Sequence, residues 1–379
     1  MIASFSLILK KRGNFMFNDA LQADLAYTYK NISEEERIRL NGSTIFITGC
    51  AGFLGFYYMH FFYRYCEELH FKRIICLDNF ILGRPKWLDI MTQDKHFYVQ
   101  KFDIIKDRIE DIPQAAEADY IIHMASIASP HFYRRYPIET LDANIWGLRR
   151  LLDFYADKTL KGFLFYSSSE VYGNPDPVNI PTDEEYYGNV SCTGPRACYD
   201  ESKRFGETMC KLFSQKYNMP VTVVRPFNNY GPGMKINDQR VPADFAKNVL
   251  EGKDIVILSS GSPKRTFCYI ADAITGYLKA MAYGKYDYFN IGIETPEITI
   301  KELADIYQEA GKEILGYKGN IRYQVSDDNE YLTNNPQRRC PKIDKARHFL
   351  GYAPKITVEN GVRRFLRFIQ ESGKENLEW

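Results

Sequence analysis

Short apolar runs rich in β-branched and aromatic residues recur along the first two thirds of the chain: Thr44–Thr48, Arg73–Leu77, Phe97–Gln100, Tyr120–Ala125, Phe163–Tyr166 and Val221–Arg225. Runs of this length, apolar on both faces, are the pattern of strands covered on both sides. Between them the apolar positions fall at helical spacing. One such stretch follows Gly55, a second carries Leu148, Leu151, Leu152 and Tyr155 after Asp142 and Asn144, and a third carries Phe205, Met209, Leu212 and Phe213 after Gly194-Pro195. Alternation of strand and helix predicts an α/β fold with a Rossmann-type doubly wound parallel sheet. Past Pro226 the pattern breaks into shorter pieces, with a helix expected over Val241 to Leu250 and a strand over Asp254 to Leu258.

The first strand ends in Gly49-Cys50-Ala51-Gly52-Phe53-Leu54-Gly55 and runs into a helix. Glycines at such a turn let the backbone approach a pyrophosphate, which then sits on the amides of the helix N-terminus. Such spacing also occurs in plain structural turns. The second strand ends in Asp78, in the window where a carboxylate holds ribose hydroxyls; a 2′-phosphate would be repelled there, so NAD is expected over NADP. The fourth strand ends in small residues around Ala125, suited to close contact with a dinucleotide. His123, inside that apolar strand, reads as a satisfied core histidine.

Tyr199 and Lys203 stand four residues apart at the start of the third helical stretch, which puts them on one face. An ammonium beside a phenol favours the phenolate, so Tyr199 is a candidate base for a sugar hydroxyl. The fifth strand delivers Ser167-Ser168-Ser169-Glu170-Val171-Tyr172-Gly173 at its C-terminal end, where ligands of open α/β sheets bind. Arg265, in the turn Gly261-Ser262-Pro263-Lys264-Arg265, is either a clamp on phosphate or carboxylate or part of a solvated basic loop. The group Arg338-Arg339, Lys342, Lys345 and Arg347 reads as a solvated face.

The 379 residues allow two lobes. We expect an N-terminal extension over 1–42, a dinucleotide-binding domain over 43–230 with 268–292 returning to it, and a smaller α/β substrate lobe over 231–379, mainly 231–267 and 293–379. A formal net charge of +1 gives no footprint for nucleic acid or an anionic membrane. The 8 cysteines lack metal-ligand spacing and read as reduced thiols of a cytoplasmic protein; no metal is expected. Ile2–Leu9 is apolar, but its basic residues follow it, so it reads as a non-targeting extension. Ser33-Glu34-Glu35-Glu36 has the form of a helix cap, on a segment expected to pack on the main body or a partner.

Over roughly residues 43 to 370 the chain resembles the extended short-chain dehydrogenase/reductase family of nucleotide-sugar epimerases, dehydratases and decarboxylases. Gly49, Gly52 and Gly55 match its Gly-x-x-Gly-x-x-Gly turn, Asp78-Asn79 with Gly83 its NAD ribose motif, Ser168 its sugar-binding hydroxyl, and Tyr199 with Lys203 its catalytic pair. Ser169–Gly173 and Gly194–Glu201 are similar to the branch that decarboxylates UDP-glucuronate to UDP-xylose. This resemblance implies NAD held by Gly49, Gly52, Phe53, Leu54, Gly55, Asp78, Asn79, Gly83, Asp103, Ile104, Ala125, Tyr199 and Lys203. It implies a nucleotide-diphosphate sugar held by Ser129, Tyr133, Ser169, Glu170, Asn228, Arg240 and Arg265, and a homodimer paired through the helices of Tyr199 and Asn144. The implied chemistry is oxidation at carbon 4, with Tyr199 taking the hydroxyl proton. Loss of carbon dioxide from the resulting β-keto acid follows, with Glu170 and Arg265 positioning the carboxylate and handling protonation at carbon 5. The chain departs from that branch at Ile127, Ser168, Ser202, Gly233 and Leu258-Ser259. A 4-epimerase needs only the oxidation and its reversal and is the alternative. A 4,6-dehydratase normally has Asp where this chain has Ser169. A binding protein that had lost catalysis would not need Ser168, Tyr199 and Lys203 together.

Overall fold

The computed structural model describes residues 18–325, 333 and 336–373; the apolar stretch Ile2–Leu9 lies outside them. Seven parallel strands form the central sheet. Six are those read from the sequence: β1 (Thr44–Thr48), β2 (Arg73–Asp78), β3 (Phe97–Lys101), β4 (Tyr120–His123), β5 (Gly162–Tyr166) and β6 (Val221–Pro226). The seventh, Asp287–Ile291, pairs with β6, and the order is β3-β2-β1-β4-β5-β6 followed by this strand. β1 is buried along its whole length, as its unbroken apolar pattern requires. Its register sets Ile47 beside Cys76 of β2 and Ile122 of β4. The strand order reverses between β1 and β4, so their C-terminal ends open a crevice at the edge where ligands of such sheets bind.

Each face of the sheet carries its own apolar core. The helix Phe53–Arg64 is buried nearly all round beneath Ile270–Ala282 on one face. On the other, Leu148, Leu151, Leu152 and Tyr155 meet Phe163 and Phe165 under the helix Ala197–Tyr217. Small sheets build the far wall of the crevice. In one, Lys264–Arg265 lies between Ile298–Thr299 and Arg338–Arg339. The helix Val241–Leu250 and the strand Ile255–Ile257 stand close to where the apolar pattern puts them.

The segment before β1 is an integral part of the core. Ser33 and Glu36 close a reciprocal capping box, and Leu21, Leu25, Ile32 and Leu40 are buried. Asp24, fully buried, accepts from the Tyr269 hydroxyl at 2.5 Å and pairs with Arg364 at 2.7 Å. Thr28 and Tyr57 share a hydrogen bond at 2.8 Å. The segment therefore ties the Ile270–Ala282 helix to the C-terminal helix Val358–Ser372. Leu25→Ala should lower stability by about 2–5 kcal/mol, the cost of a core cavity, in urea denaturation followed by circular dichroism. An effect near zero would mean that the segment is a detachable arm.

Candidate active site

Three parts of the chain converge at the C-terminal edge of the sheet. β5 ends in Ser167 and Ser168, and Ser168 caps a single turn over Ser169–Tyr172, its Oγ accepting from the Glu170 amide at 3.2 Å. The helix Ala197–Tyr217 begins just after Gly194-Pro195 and brings Tyr199 and Lys203 to the same place, both buried. Tyr199 is hydrogen-bonded to Ser168, and its ring stacks on Tyr133 with centroids 5.1 Å apart and planes within 11°. Lys203 donates to the Tyr166 carbonyl at 2.8 Å, and its Nζ lies 5.6 Å from the Tyr199 ring centre.

The electrostatics of this pair differ from the simple expectation. Burial pushes the Tyr199 phenol up to about 12, with the Ser168 hydrogen bond pulling against it. Burial brings the Lys203 ammonium down to about 7. The spacing does unite the two residues, but desolvation sets the behaviour of both, and the charges of Glu170 and Asp200 add to the rise at Tyr199. Beside them His123 is a core residue, its Nδ1 2.8 Å from Thr48 Oγ1.

Glu170 holds the largest correction. It is gripped by two arginines, Arg196 and Arg339, the second through both carboxylate oxygens. Burial works against the charged form, yet the two guanidinium groups hold the Glu170 carboxyl down to about 2. Arg339 belongs to the run read as a solvated face; instead it is buried, because its strand pairs with Lys264–Arg265 and points it inward. Its neighbour Arg338 pairs outside with Glu297 at 2.7 Å. Arg265 does line the crevice, but its guanidinium also donates to the carbonyls of Lys264, Gln337 and Pro336. Burial and the charge of Arg339 bring Arg265 down to about 9. Arg196 stands three residues before Tyr199, one turn away, and that spacing was its signal.

These groups line a crevice of about 940 Å³ that runs from the glycine turn past Tyr199 to Asp244 and Lys247. Its first end fits a dinucleotide. Gly49 has φ +79, and a Cβ there would meet the Ala125 nitrogen at 2.8 Å; at Gly55 a Cβ would lie 2.3 Å from the Cys50 carbonyl. Gly52 has no such crowding and faces the crevice, so a side chain there would fill the cradle rather than clash with the fold. Gly52 caps the Phe53–Arg64 helix with no side-chain cap, leaving its first amides to a pyrophosphate. Asp78 is oriented by the Ala51 and Phe80 amides at 3.0 and 2.8 Å, and Gly83 closes the following turn on Phe80 at 2.9 Å. Asn79 caps that turn through the Ile81 amide.

Other sequence-derived positions divide. Phe53, Leu54, Tyr133, Ser169, Asn228 and Arg240 line the crevice. Asn228 is held by a bond to the Thr266 carbonyl at 2.8 Å, and Arg240 by Asp238 and the Phe53 ring. Asp103 receives the Ile105 amide at 3.0 Å and has Lys106 at 3.4 Å. Ser129 and Ile104, like Asp78, Asn79, Gly83, Asp103 and Ala125, stand outside the lining of that crevice. Ser129 gives its hydroxyl to the Asp238 carbonyl at 3.0 Å and is not part of the crevice wall. Ile104 turns its side chain into the core beneath Gly147 and gives its carbonyl to Arg150. Among the described residues no cluster of three or more His, Cys, Asp or Glu side chains is placed to hold a metal, and no helix is long and apolar enough to cross a membrane.

Similarity to known proteins agrees with this geometry. UDP-glucuronic acid decarboxylase 1 of Xenopus tropicalis is 34% identical over 344 residues, 90% of this chain and 74% of that protein. UDP-glucuronic acid decarboxylase 6 of Arabidopsis thaliana is 32% identical over 322 residues, 84% of this chain and 86% of that protein. Among solved structures, the UDP-glucose 4-epimerase of Thermotoga maritima with UDP-glucose superposes with a TM-score of 0.72 at 25% identity, over 87% of this chain and 99% of that one. The UDP-glucuronic acid 4-epimerase of Bacillus cereus in complex with UDP-glucuronic acid and NAD shares the fold, with a TM-score of 0.70 at 22% identity, over 86% of this chain and 99% of that one. A family profile matches residues 45–292, and with a crevice built for a dinucleotide beside Ser168, Tyr199 and Lys203 the chain belongs to the NAD dependent epimerase/dehydratase family, as an NAD-dependent enzyme that modifies nucleotide sugars.

Proposed function

We propose that this enzyme oxidises carbon 4 of a nucleotide-diphosphate sugar acid and releases its carboxyl group as carbon dioxide, converting a UDP-glucuronate-like substrate to a UDP-xylose-like product. One observation carries this reading: the guanidinium groups of Arg196 and Arg339 converge on the ionised carboxylate of Glu170 at the crevice wall, with Arg265 lining the same crevice. Buried charge of one sign is costly unless a counter-charge arrives. A sugar carboxylate is such a counter-charge, and a neutral sugar is not.

Gly49, Gly52, Gly55 and Asp78 would hold NAD, which when bound would supply the reversible hydride chemistry that oxidation at carbon 4 requires. Tyr199 removes the hydroxyl proton of carbon 4 from its phenolate form, a minor form in a site where burial raises the phenol and the Ser168 hydrogen bond opposes that rise, while Lys203 fixes the helix face to the Tyr166 carbonyl. The ketone so formed turns the carboxylate into that of a β-keto acid, whose electrons have somewhere to go when carbon dioxide leaves. With its carboxyl held near 2, Glu170 acts here as an anion and hydrogen-bond acceptor, and the proton that replaces the carboxyl group on carbon 5 comes from water. Its charge keeps Arg196 and Arg339 from gripping the departing carboxylate too tightly. The second reading, inversion at carbon 4 of the same acid, uses the same cluster without release of carbon dioxide.

Tyr199→Phe should lower consumption of UDP-glucuronate by about 10²- to 10⁴-fold, the contribution of a positioned base, measured by chromatography of the nucleotide sugars. Glu170→Gln should oxidise the sugar acid yet release carbon dioxide about 10²- to 10³-fold more slowly, because two cations lose their counter-charge. Reduced cofactor absorbance then builds up in a single turnover; decarboxylation at the unaltered rate would remove Glu170 from this role. Denatured protein should release NAD, which the cycle regenerates in place, and release of NADP would contradict the Asp78 assignment. The apolar residues Trp146, Phe205 and Leu212 are exposed on the helices of Asn144 and Tyr199, which supports a homodimer through that face. Light scattering at micromolar concentration should give twice the chain mass, and a monomer would refute it.

A further inference from the structure

Arg196 stands between two buried carboxyl groups. Its Nη2 meets Glu170, while its Nε faces Asp200 with Oδ2 3.6 Å away, beyond hydrogen-bond distance. Arg196 Nε and Asp200 Oδ1 are both buried without a hydrogen-bond partner. The Oδ1 oxygen of Asp200 is thus buried with no donor, which is costly for a charged carboxylate, and the ion pair that Oδ2 makes with Arg196 offsets this only in part. Asp200 follows Tyr199 directly and lies behind Arg196, outside the crevice wall. The groups facing it are Glu170 from the turn after β5, Arg196 from the residue before its own helix, Arg339 from the C-terminal strand and Tyr133 from the helix Pro130–Arg135, with Tyr199 and Cys198 beside it in sequence.

We propose that Asp200 is a positioning residue that takes up one proton when an anionic sugar binds and gives it back when the anion leaves, so that affinity for the acid depends on pH. The proposal rests on the sugar-acid reading above. When Asp200 is neutral, the charge of Arg196 is left to Glu170 and to the incoming carboxylate; when it is ionised, Asp200 competes for the Nε side of the same guanidinium. Burial, and after it the charge of Glu170, push the Asp200 carboxyl up to about 7, so both forms are populated at neutral pH. A substrate carboxylate at Arg196 and Arg339 adds a further negative charge and raises it again, drawing one proton from bulk water onto Asp200. Affinity is then full below about pH 7 and falls by up to about tenfold per pH unit above it, levelling once the pKa of the complex is passed. A neutral sugar brings no charge and no such linkage.

The test is calorimetric titration of UDP-glucuronate and of UDP-glucose into the Tyr199→Phe protein, in which turnover is slowed as above, in buffers of different ionisation enthalpy. Proton uptake with the acid and none with UDP-glucose is expected, and adding Asp200→Asn should abolish the uptake and flatten the pH dependence. Lys203, which also titrates near neutrality, is present in both proteins, so the difference between them isolates Asp200. Uptake that persists in Asp200→Asn overturns the proposal. So does equal proton exchange for the two sugars in the Tyr199→Phe protein, a result that needs no second variant to fold. An acid bound tightly without proton uptake counts against Asp200 alone, whereas an acid bound no better than UDP-glucose at low pH counts against the sugar-acid site and this proposal with it.

Discussion

The contact between Glu170 and its two arginines is the constraint on which the site depends. It joins the end of β5, the residue that precedes the tyrosine helix and a strand near the C-terminus, segments far apart in sequence. A buried ion pair is a poor source of stability, because desolvation of each partner cancels most of the attraction. Its value lies in specificity and in poise. The Glu170 anion is kept ionised, and the guanidinium groups of Arg196 and Arg339 are kept at the crevice wall. The Ser168–Tyr199–Lys203 group would serve any sugar of this family, and it is on the arginines that the proposal of an acidic sugar rests.

Placement of these groups is a consequence of the sheet. Parallel strands buried on both faces must send their chain to the same edge, so the glycine turn after β1, the serines after β5 and Asn228 after β6 meet there without any local preference for doing so. The small sheet that carries Arg265 and Arg339 closes the opposite wall. The segment 18–40 contributes from behind, since its buried leucines and Asp24 brace the Ile270–Ala282 helix beneath the same sheet.

Much of this was legible in the residues themselves. Period and composition gave the six strands and the Tyr199 helix, because burial on two faces leaves an unbroken apolar run and a helix leaves a spaced one. Spacing of four residues was enough to unite Tyr199 with Lys203. Arg339 was not legible: a cluster of cations in a tail looks solvated, and only the pairing of its strand with Lys264–Arg265 turns one of the two adjacent arginines inward. The acidity of Glu170 and the raised pKa of Tyr199 were hidden for the same reason, since both are set by neighbours that sequence proximity does not reveal. Ile104 is known as a candidate from motif likeness alone, and its side chain packs into the core against Gly147.

Decarboxylation and inversion of one sugar acid share every residue up to the ketone and part only at the fate of the carboxyl carbon. The direct test is to supply UDP-glucuronate labelled with ¹³C in its carboxyl group and to follow the label by mass spectrometry. The account predicts labelled carbon dioxide in step with substrate loss, and a nucleotide sugar lighter by that mass. Full retention of the label in a product of unchanged mass, with carbon 4 inverted, would contradict it.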